Sequence, residues 1–154
     1  MRIAIGADHG GVEIKKALIE NFRDLGYDFV DFGTNSEQSV DYPDFAEKVG
    51  QAIQDQEVER GILICGSGVG VCITANKMKG VYAATCHDTY SARQGVEHDD
   101  MNVLCLGGRV IDAVLAKALV KEFLEAKFSG NDPGNERHLR RVTKIKTIEQ
   151  EEMK

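Results

Sequence analysis

One stretch, Ile62 to Met78, reading ILICGSGVGVCITANKM, constrains this chain more than any other. Its first residues, Ile62 to Cys65, form an apolar run of strand length. The glycine alternation after them cannot continue a strand cheaply, so the backbone turns at Gly66 and a helix begins near Gly68. Glycine lets backbone N–H groups crowd around an anion, and the unsatisfied donors of a helix start add about half a positive charge at the same spot. A cysteine at the last strand position has its thiolate stabilised there, with a pKa expected below the ~8.5 of a free thiol. Cys65 is therefore the first candidate for chemistry. The plainer reading is an ordinary strand–turn–helix junction whose cysteine serves as a small buried hydrophobe. On this stretch alone both readings stand.

Two sharper nucleotide-binding patterns fail. Gly66, Ser67 and Gly68 match the opening of a dinucleotide fingerprint, with Asp88 at about the ~20-residue spacing of its acidic residue, but Val71 stands where the third Gly or Ala belongs. A phosphate loop needs Gly-Lys-Ser/Thr, and Gly10 and Gly11 are followed by Val12.

At 154 residues the chain is expected to form a single domain, residues 1–154, long enough to bury about two thirds of its unfolded surface. No apolar run approaches the roughly 18 residues of a membrane span, and Met1 to Gly6 runs directly into a strand pattern without a secretory h-region. The 4 cysteines lack paired spacing, which argues for reduced thiols, a cytoplasmic setting and neither a disulfide framework nor a zinc ribbon. A net charge of -6 disfavours nucleic acid as a partner. The local basic cluster from Arg137 to Lys146 suits a small anionic ligand.

The pattern alternates. Strands are expected at Arg2–Ala7, Tyr27–Phe32, Ile62–Cys65, Val81–Cys86 and Asn102–Leu106. Helices are expected from Ile14 to the Gly26 cap, over Asp44–Asp55 behind Pro43, from Gly68, over Asp88–Glu97, over Ile111–Lys127, and from Glu136 onward. In the last of these, Leu139, Val142, Ile145 and Ile148 mark one face. Such alternation implies an α/β, Rossmann-like three-layer sandwich, with a parallel sheet of about five strands and an extra C-terminal helix. Ligands of such sheets lie at the carboxyl ends of the strands. At those ends stand Asp8 and His9, then Cys65 and its glycines, His87 and Asp88, and Gly107, Gly108 and Arg109. Each has a structural alternative: Asp8 as a helix cap, Arg109 as a surface charge, and Asp88 as a cap, which is the favoured reading there. Arg137 and Arg141 share a helical face, either as a solvated basic surface or as an anion grip. The terminal helix either closes over the sheet or grips a second subunit.

The four histidines show no paired metal-ligand motif, and the elbow signature of a hydrolytic nucleophile is absent. Proton transfer remains. A thiolate base beside a pocket of N–H groups is what enolisation needs, the base taking a proton next to a carbonyl and the loop donors holding the enediolate oxygen.

Several motifs run in order along nearly the whole chain: Gly6 to Gly11, Asp41-Tyr42-Pro43, Ile62 to Asn76, Thr89-Tyr90-Ser91-Ala92, His98 to Arg109, and Arg137-His138 with Arg141. They resemble those of the ribose-5-phosphate isomerase B family, which also contains galactose-6-phosphate isomerase subunits. The resemblance implies a homodimer, possibly a tetramer, with the site shared between subunits and no metal or other cofactor. The implied reaction interconverts ribose 5-phosphate and ribulose 5-phosphate by enediol proton transfer, a step of the pentose phosphate pathway. It implies Cys65 as the base with Ser67 beside it, and the backbone of Gly66, Gly68 and Gly70 as the anion hole. It gives ring opening to Asp8 and His98, phosphate contacts to His9, Arg109, Arg137 and Arg141, and the sugar lining to Tyr42. Relatives often carry Asn directly after the histidine, at a position that faces the sugar in the family. Asp99 here therefore bears on sugar length, and a tetrose or hexose phosphate is the alternative substrate. Relatives also run Gly-Gly-Arg-His where residues 131–136 intervene here. The alternative of another class is a nucleotide-binding regulatory module that uses the glycine loop without chemistry.

Overall fold

The computed structural model describes residues 1–153. The chain forms β1 (Arg2–Ala7), α1 (Val12–Phe22), β2 (Asp28–Asp31), α2 (Tyr42–Gln54), β3 (Arg60–Cys65) and α3 (Val69–Ala75). It continues through β4 (Ala83–Thr85), α4 (Thr89–Asp99), β5 (Val103–Gly107), α5 (Ala113–Glu125) and α6 (Glu136–Glu152), with single 3-10 turns at His9–Gly11 and Arg23–Leu25. All neighbouring strands pair in parallel, in the order β2-β1-β3-β5-β4. The result is the three-layer α/β sandwich implied by the alternation, with α6 added after the last strand.

β3 shows how the sequence writes this architecture. Successive strand residues point to opposite faces, so a strand covered on both faces must be apolar in both registers. Ile62 and Ile64 enter a core completed by Leu18 of α1, Val96 of α4 and Phe123 of α5. Leu63 and Cys65 enter the opposite core, with Val49 of α2 and Val71 of α3. Ile62, Leu63 and Ile64 are fully buried, each contributing on the order of 1.5–3 kcal/mol of hydrophobic free energy.

Several boundaries differ from the sequence expectation. The fourth strand covers Ala83–Thr85 rather than Val81–Cys86, because β4 is an edge strand paired only with β5. The Tyr82 N–H, at its start, goes instead to the Asn102 side chain at 2.8 Å. α2 begins at Tyr42, ahead of the expected Asp44, with Asp41 in the N-cap position. Asp112 caps α5 by accepting from the Leu115 N–H at 2.9 Å, so this helix starts at Ala113 and not at Ile111. Asp88 caps α4 by accepting from the Ser91 N–H at 2.8 Å, and Asp100 ends that helix in the left-handed region. In α6 the expected apolar face is covered only in part. Val142 is buried, but Leu139, Ile145 and Ile148 are exposed, because α6 packs on α4 and has no sheet beneath it.

At the carboxyl edge the loops after β1, β3 and β5 pack backbone against backbone. The Gly108 N–H donates to the Cys65 carbonyl at 2.7 Å and the Arg109 N–H to the Gly66 carbonyl at 3.0 Å. Gly108 lies so close to the first loop that a Cβ on it would fall inside the contact radius of the Gly10 carbonyl oxygen. Gly108→Ala is therefore expected to cost about 1–3 kcal/mol of stability through overpacking, read as a lower urea midpoint with unchanged m-value.

Candidate active site

β1 and β2 lie on one side of the point where the chain reverses its build direction, and β3, β5 and β4 lie on the other. A cleft of about 640 Å³ opens there, between the ends of β1 and β3. Its lining includes Asp8, Tyr42, Cys65, Gly66, Ser67, Gly70 and Arg109. All seven are residues expected at the site from the sequence.

Asp8 ends β1. Its carboxylate accepts from the Gly10 N–H at 2.8 Å, which is the capping role offered as its structural alternative. It is nonetheless a cleft wall, so capping and lining coexist in one side chain. Cys65 is buried at the end of β3, and its sulfur accepts from the Gly68 N–H at 3.1 Å. That contact needs Gly68 in the left-handed region, at φ 80°, where a Cβ would also press on Leu106, Thr85 and Gly107. The Gly68 carbonyl accepts from the Thr85 hydroxyl at 2.8 Å, and the Ser67 hydroxyl accepts from the Val69 N–H at 3.2 Å. The loop is thereby fixed from three sides. The first N–H groups of α3 lack intrahelical acceptors, as at any helix start, and adjoin the thiol. Arg109 lies over Gly66, so its cation shares the cleft with that N–H cluster. His9 stands one residue beyond Asp8, its Nδ1 accepting from the Val40 N–H at 3.2 Å.

The remaining expected residues lie elsewhere on the chain. His98 lines a separate hollow of about 180 Å³ with Tyr90, Arg93, Gln94 and Glu97. Asp99 lines a groove between α4 and α6 with Tyr82 and Ile145. Arg137 and Arg141 are exposed on the first turns of α6, and Arg137 donates to the Gly134 carbonyl at 2.9 Å. A single chain thus presents two half-sets, the thiol cleft and an imidazole–arginine surface. The two are not joined within it.

The sequence reading missed the residues that hold these sets in place. His138 is buried, and its ring stacks on that of His98 at 3.9 Å between centroids and 8° between planes. Burial, and then the neighbouring His98, Arg137 and Arg141, hold its pKa below the usual imidazole value, so it packs as a neutral ring. The available signal was its spacing of one helical turn from Val142. His87, named at a strand end but given no role, accepts from the Gly107 N–H at 3.0 Å and braces the β5 loop. Val69, Ile73 and Val110 form an exposed apolar rim around the cleft. Among the described residues, no group of three or more His, Cys, Asp or Glu side chains is arranged to hold a metal ion, and no helix is long and apolar enough to cross a membrane.

Together, fold and cleft define an α/β protein with a cysteine seated in an N–H-rich loop at the switch point of a parallel sheet, between a carboxylate and an arginine. A family model described as ribose/galactose isomerase matches residues 3–145. Ribose-5-phosphate isomerase B of Escherichia coli is 42% identical over 149 residues, 97% of each chain. Among solved structures, ribose-5-phosphate isomerase B of Clostridium thermocellum superposes with a TM-score of 0.92 at 46% identity, covering 98% of this chain and 99% of that one. The same enzyme from Mycoplasma genitalium, with ribulose-5-phosphate bound, gives 0.89 at 40% identity, covering 97% of both. The chain belongs to the ribose/galactose isomerase family.

The other cysteines differ in reactivity. Cys72 on α3 is half-buried, and hydrogen bonding from Cys105 pulls its pKa down to about 6. Burial pushes Cys86 up to about 11 and Cys105 well above an ordinary thiol. Between pH 7 and 8 Cys72 is already mostly thiolate. Its labelling by iodoacetamide should therefore be nearly independent of pH, whereas an ordinary thiol speeds up almost tenfold per unit below its pKa. Mass spectrometry of partly labelled, folded protein should find Cys72 modified well before Cys86 and Cys105.

Proposed function

We propose that this protein is an aldose–ketose isomerase acting on ribose 5-phosphate and ribulose 5-phosphate, with Cys65 as the base. The observation that carries the reading is the Cys65 sulfur held by the Gly68 N–H in a cleft shared with Asp8, Tyr42 and Arg109. In the aldose-to-ketose direction, the Cys65 thiolate takes the proton from C2 of the open-chain sugar. Negative charge moves onto the carbonyl oxygen at C1, where N–H groups of Gly66 to Gly70 receive it; a proton then passes from the C2 hydroxyl to that oxygen, and the Cys65 thiol returns the abstracted proton to C1, leaving the ketone at C2. Ser67 lies beside the base and Tyr42 lines the sugar. Asp8 and His98 open the furanose ring, while His9, Arg109, Arg137 and Arg141 bind the phosphate.

Two features support a site completed by a second copy of the chain. His98, Arg137 and Arg141 stand away from the thiol cleft of their own chain. The cleft rim (Val69, Ile73 and Val110) and the uncovered part of the α6 apolar face (Leu139, Ile145 and Ile148) expose apolar side chains suited to an interface. In the proposed homodimer the α6 arginines of one protomer complete the cleft of its partner. A second substrate reading rests on Asp99, at a position where relatives often carry an Asn that faces the sugar; a carboxylate in that place would shift preference to a shorter or longer phosphosugar. Comparing kcat/KM across tetrose, pentose and hexose phosphates distinguishes the two.

Incubated with ribulose 5-phosphate in deuterium oxide, the protein should yield ribose 5-phosphate carrying deuterium at C2, seen by NMR. A binding module would form no aldose. Cys65→Ser should lower kcat by at least about 10²-fold while the fold persists, because a serine hydroxyl hardly ionises. Wild-type turnover in that variant would remove Cys65 from the role of base.

Arg137→Ala should cost about 1.5–3 kcal/mol of phosphate binding, raising KM roughly ten- to a hundredfold with a smaller change in kcat. An unchanged KM in a dimer verified by light scattering would make Arg137 a solvated surface charge.

A further inference from the structure

Lys15 has the side chain hardest to account for by packing. It lies on α1 among apolar neighbours and is 0% exposed, a charged residue among the largest fully buried side chains of the described residues. Its ammonium donates to both oxygens of Asp31 at 2.8 Å and to the Asn35 side-chain oxygen at 2.6 Å, which uses all three of its donors. Asp31 in turn accepts from the Gly33 N–H at 2.8 Å. The Asp31 side chain is 33% exposed, so the pair is buried on one side only, and such a pair is a weak source of stability, since an apolar side chain in place of the lysine often does as well or better. Its role here is better sought in what it holds.

What it holds is the start of the segment between β2 and α2. Two further bonds clip that start to the end of β1, from the Ala7 N–H to the Gly33 carbonyl and from the Thr34 N–H to the Ala7 carbonyl, both at 2.6 Å. Beyond Asn35, Ser36 to Ser39 are exposed and bonded only locally, the Gln38 N–H to the Ser36 hydroxyl at 3.4 Å. The segment touches the site again at Val40, whose N–H donates to Nδ1 of His9 at 3.2 Å, immediately before Asp41 and Tyr42. A backbone N–H can only donate, so this contact requires a bare Nδ1 and places the ring proton on Nε2. Nε2 makes no hydrogen bond among the described residues, which leaves an N–H available to an anion.

We propose that Lys15 is a positioning residue: through Asp31 and Asn35 it anchors the 33–41 segment so that Val40 holds His9 as an Nε2–H donor toward the phosphate of the substrate. The inference rests on His9 as a phosphate contact. The tether has two ends, Asn35 at the Lys15 ammonium and Val40 at the imidazole, and the residues between them are bonded only locally. Loosening the Lys15 end lets the Val40 N–H leave Nδ1, and the ring then samples both neutral forms.

The test uses long-range 1H–15N correlation spectra of the histidine rings in the full chain, with the His9 signals assigned by their loss in His9→Ala. Inorganic phosphate is titrated into the same samples. Wild type should show His9 in the single Nε2–H form. Lys15→Met should show mixed forms and bind phosphate about three- to tenfold more weakly, the scale of one hydrogen bond. Asn35→Ala, at an exposed position, removes only the segment's own acceptor and should shift both readouts in the same direction even if Lys15→Met fails to fold. A His9 proton on Nδ1 in wild type would overturn the proposal. So would an unchanged Nε2–H form and a phosphate Kd within about twofold of wild type in the folded variants, when His9→Ala does weaken phosphate. If His9→Ala leaves phosphate binding unchanged, His9 is not a phosphate contact, and that reading falls together with the role given to Lys15.

Discussion

A parallel sheet covered by helices on both faces leaves one edge at which polar groups can gather without being buried alone, and this structure is built around that edge. The ladder pairs Ala7 with Ile64 and Cys65 with Gly107, so the residues just past each strand emerge side by side. Asp8, the Cys65 loop and Arg109 meet because their strands are in register, and backbone bonds such as Arg109 N–H to the Gly66 carbonyl continue that register into the loops. The thiol then requires little more than a neighbouring N–H, which the left-handed turn at Gly68 supplies.

This half of the site was legible in the sequence because its signals are local. Apolar runs ending in Asp8, Cys65 and Gly107 announce strand ends, and the glycines beyond them announce tight turns. The misplaced boundaries have a common cause. A run such as Val81–Cys86 has strand composition throughout, but only residues opposite a partner form the ladder, and an edge strand has one partner. Lys15 escaped notice because apolar periodicity is read from the hydrophobic residues. A lysine on the arc of Ile14, Leu18 and Phe22 resembles noise until the carboxylate facing it is known. His138, quoted with Arg137 in the last motif, was given no role for a similar reason, since it stands in a run of charges that marks α6 as a surface helix.

The orientation of α6 is set by polar contacts at both ends rather than by a deep core. Near its start His138 stacks on His98. Near its end Glu149 accepts from the Gly80 N–H at 2.6 Å and from the Tyr82 hydroxyl at 2.8 Å, while Lys146 reaches Asp100 at 3.5 Å. Burial, and next Glu149, push the Tyr82 hydroxyl pKa upward, so the phenol remains a donor across the ordinary pH range. A helix with only two buried residues can keep a defined direction because each end is fastened to a different part of the fold.

The close approach of Gly108 to Gly10 has a consequence for how such a chain can vary. The obstacle is the Gly10 carbonyl oxygen, which every residue carries, so no change of side chain at position 10 makes room at position 108. A Cβ on Gly10 meets Gly66 and Asp8 instead. The constraint therefore runs one way, from the backbone path of the first loop to the residue type in the last. Sequence drift at position 10 leaves the barrier at position 108 in place, and only a change in the course of the first loop lifts it.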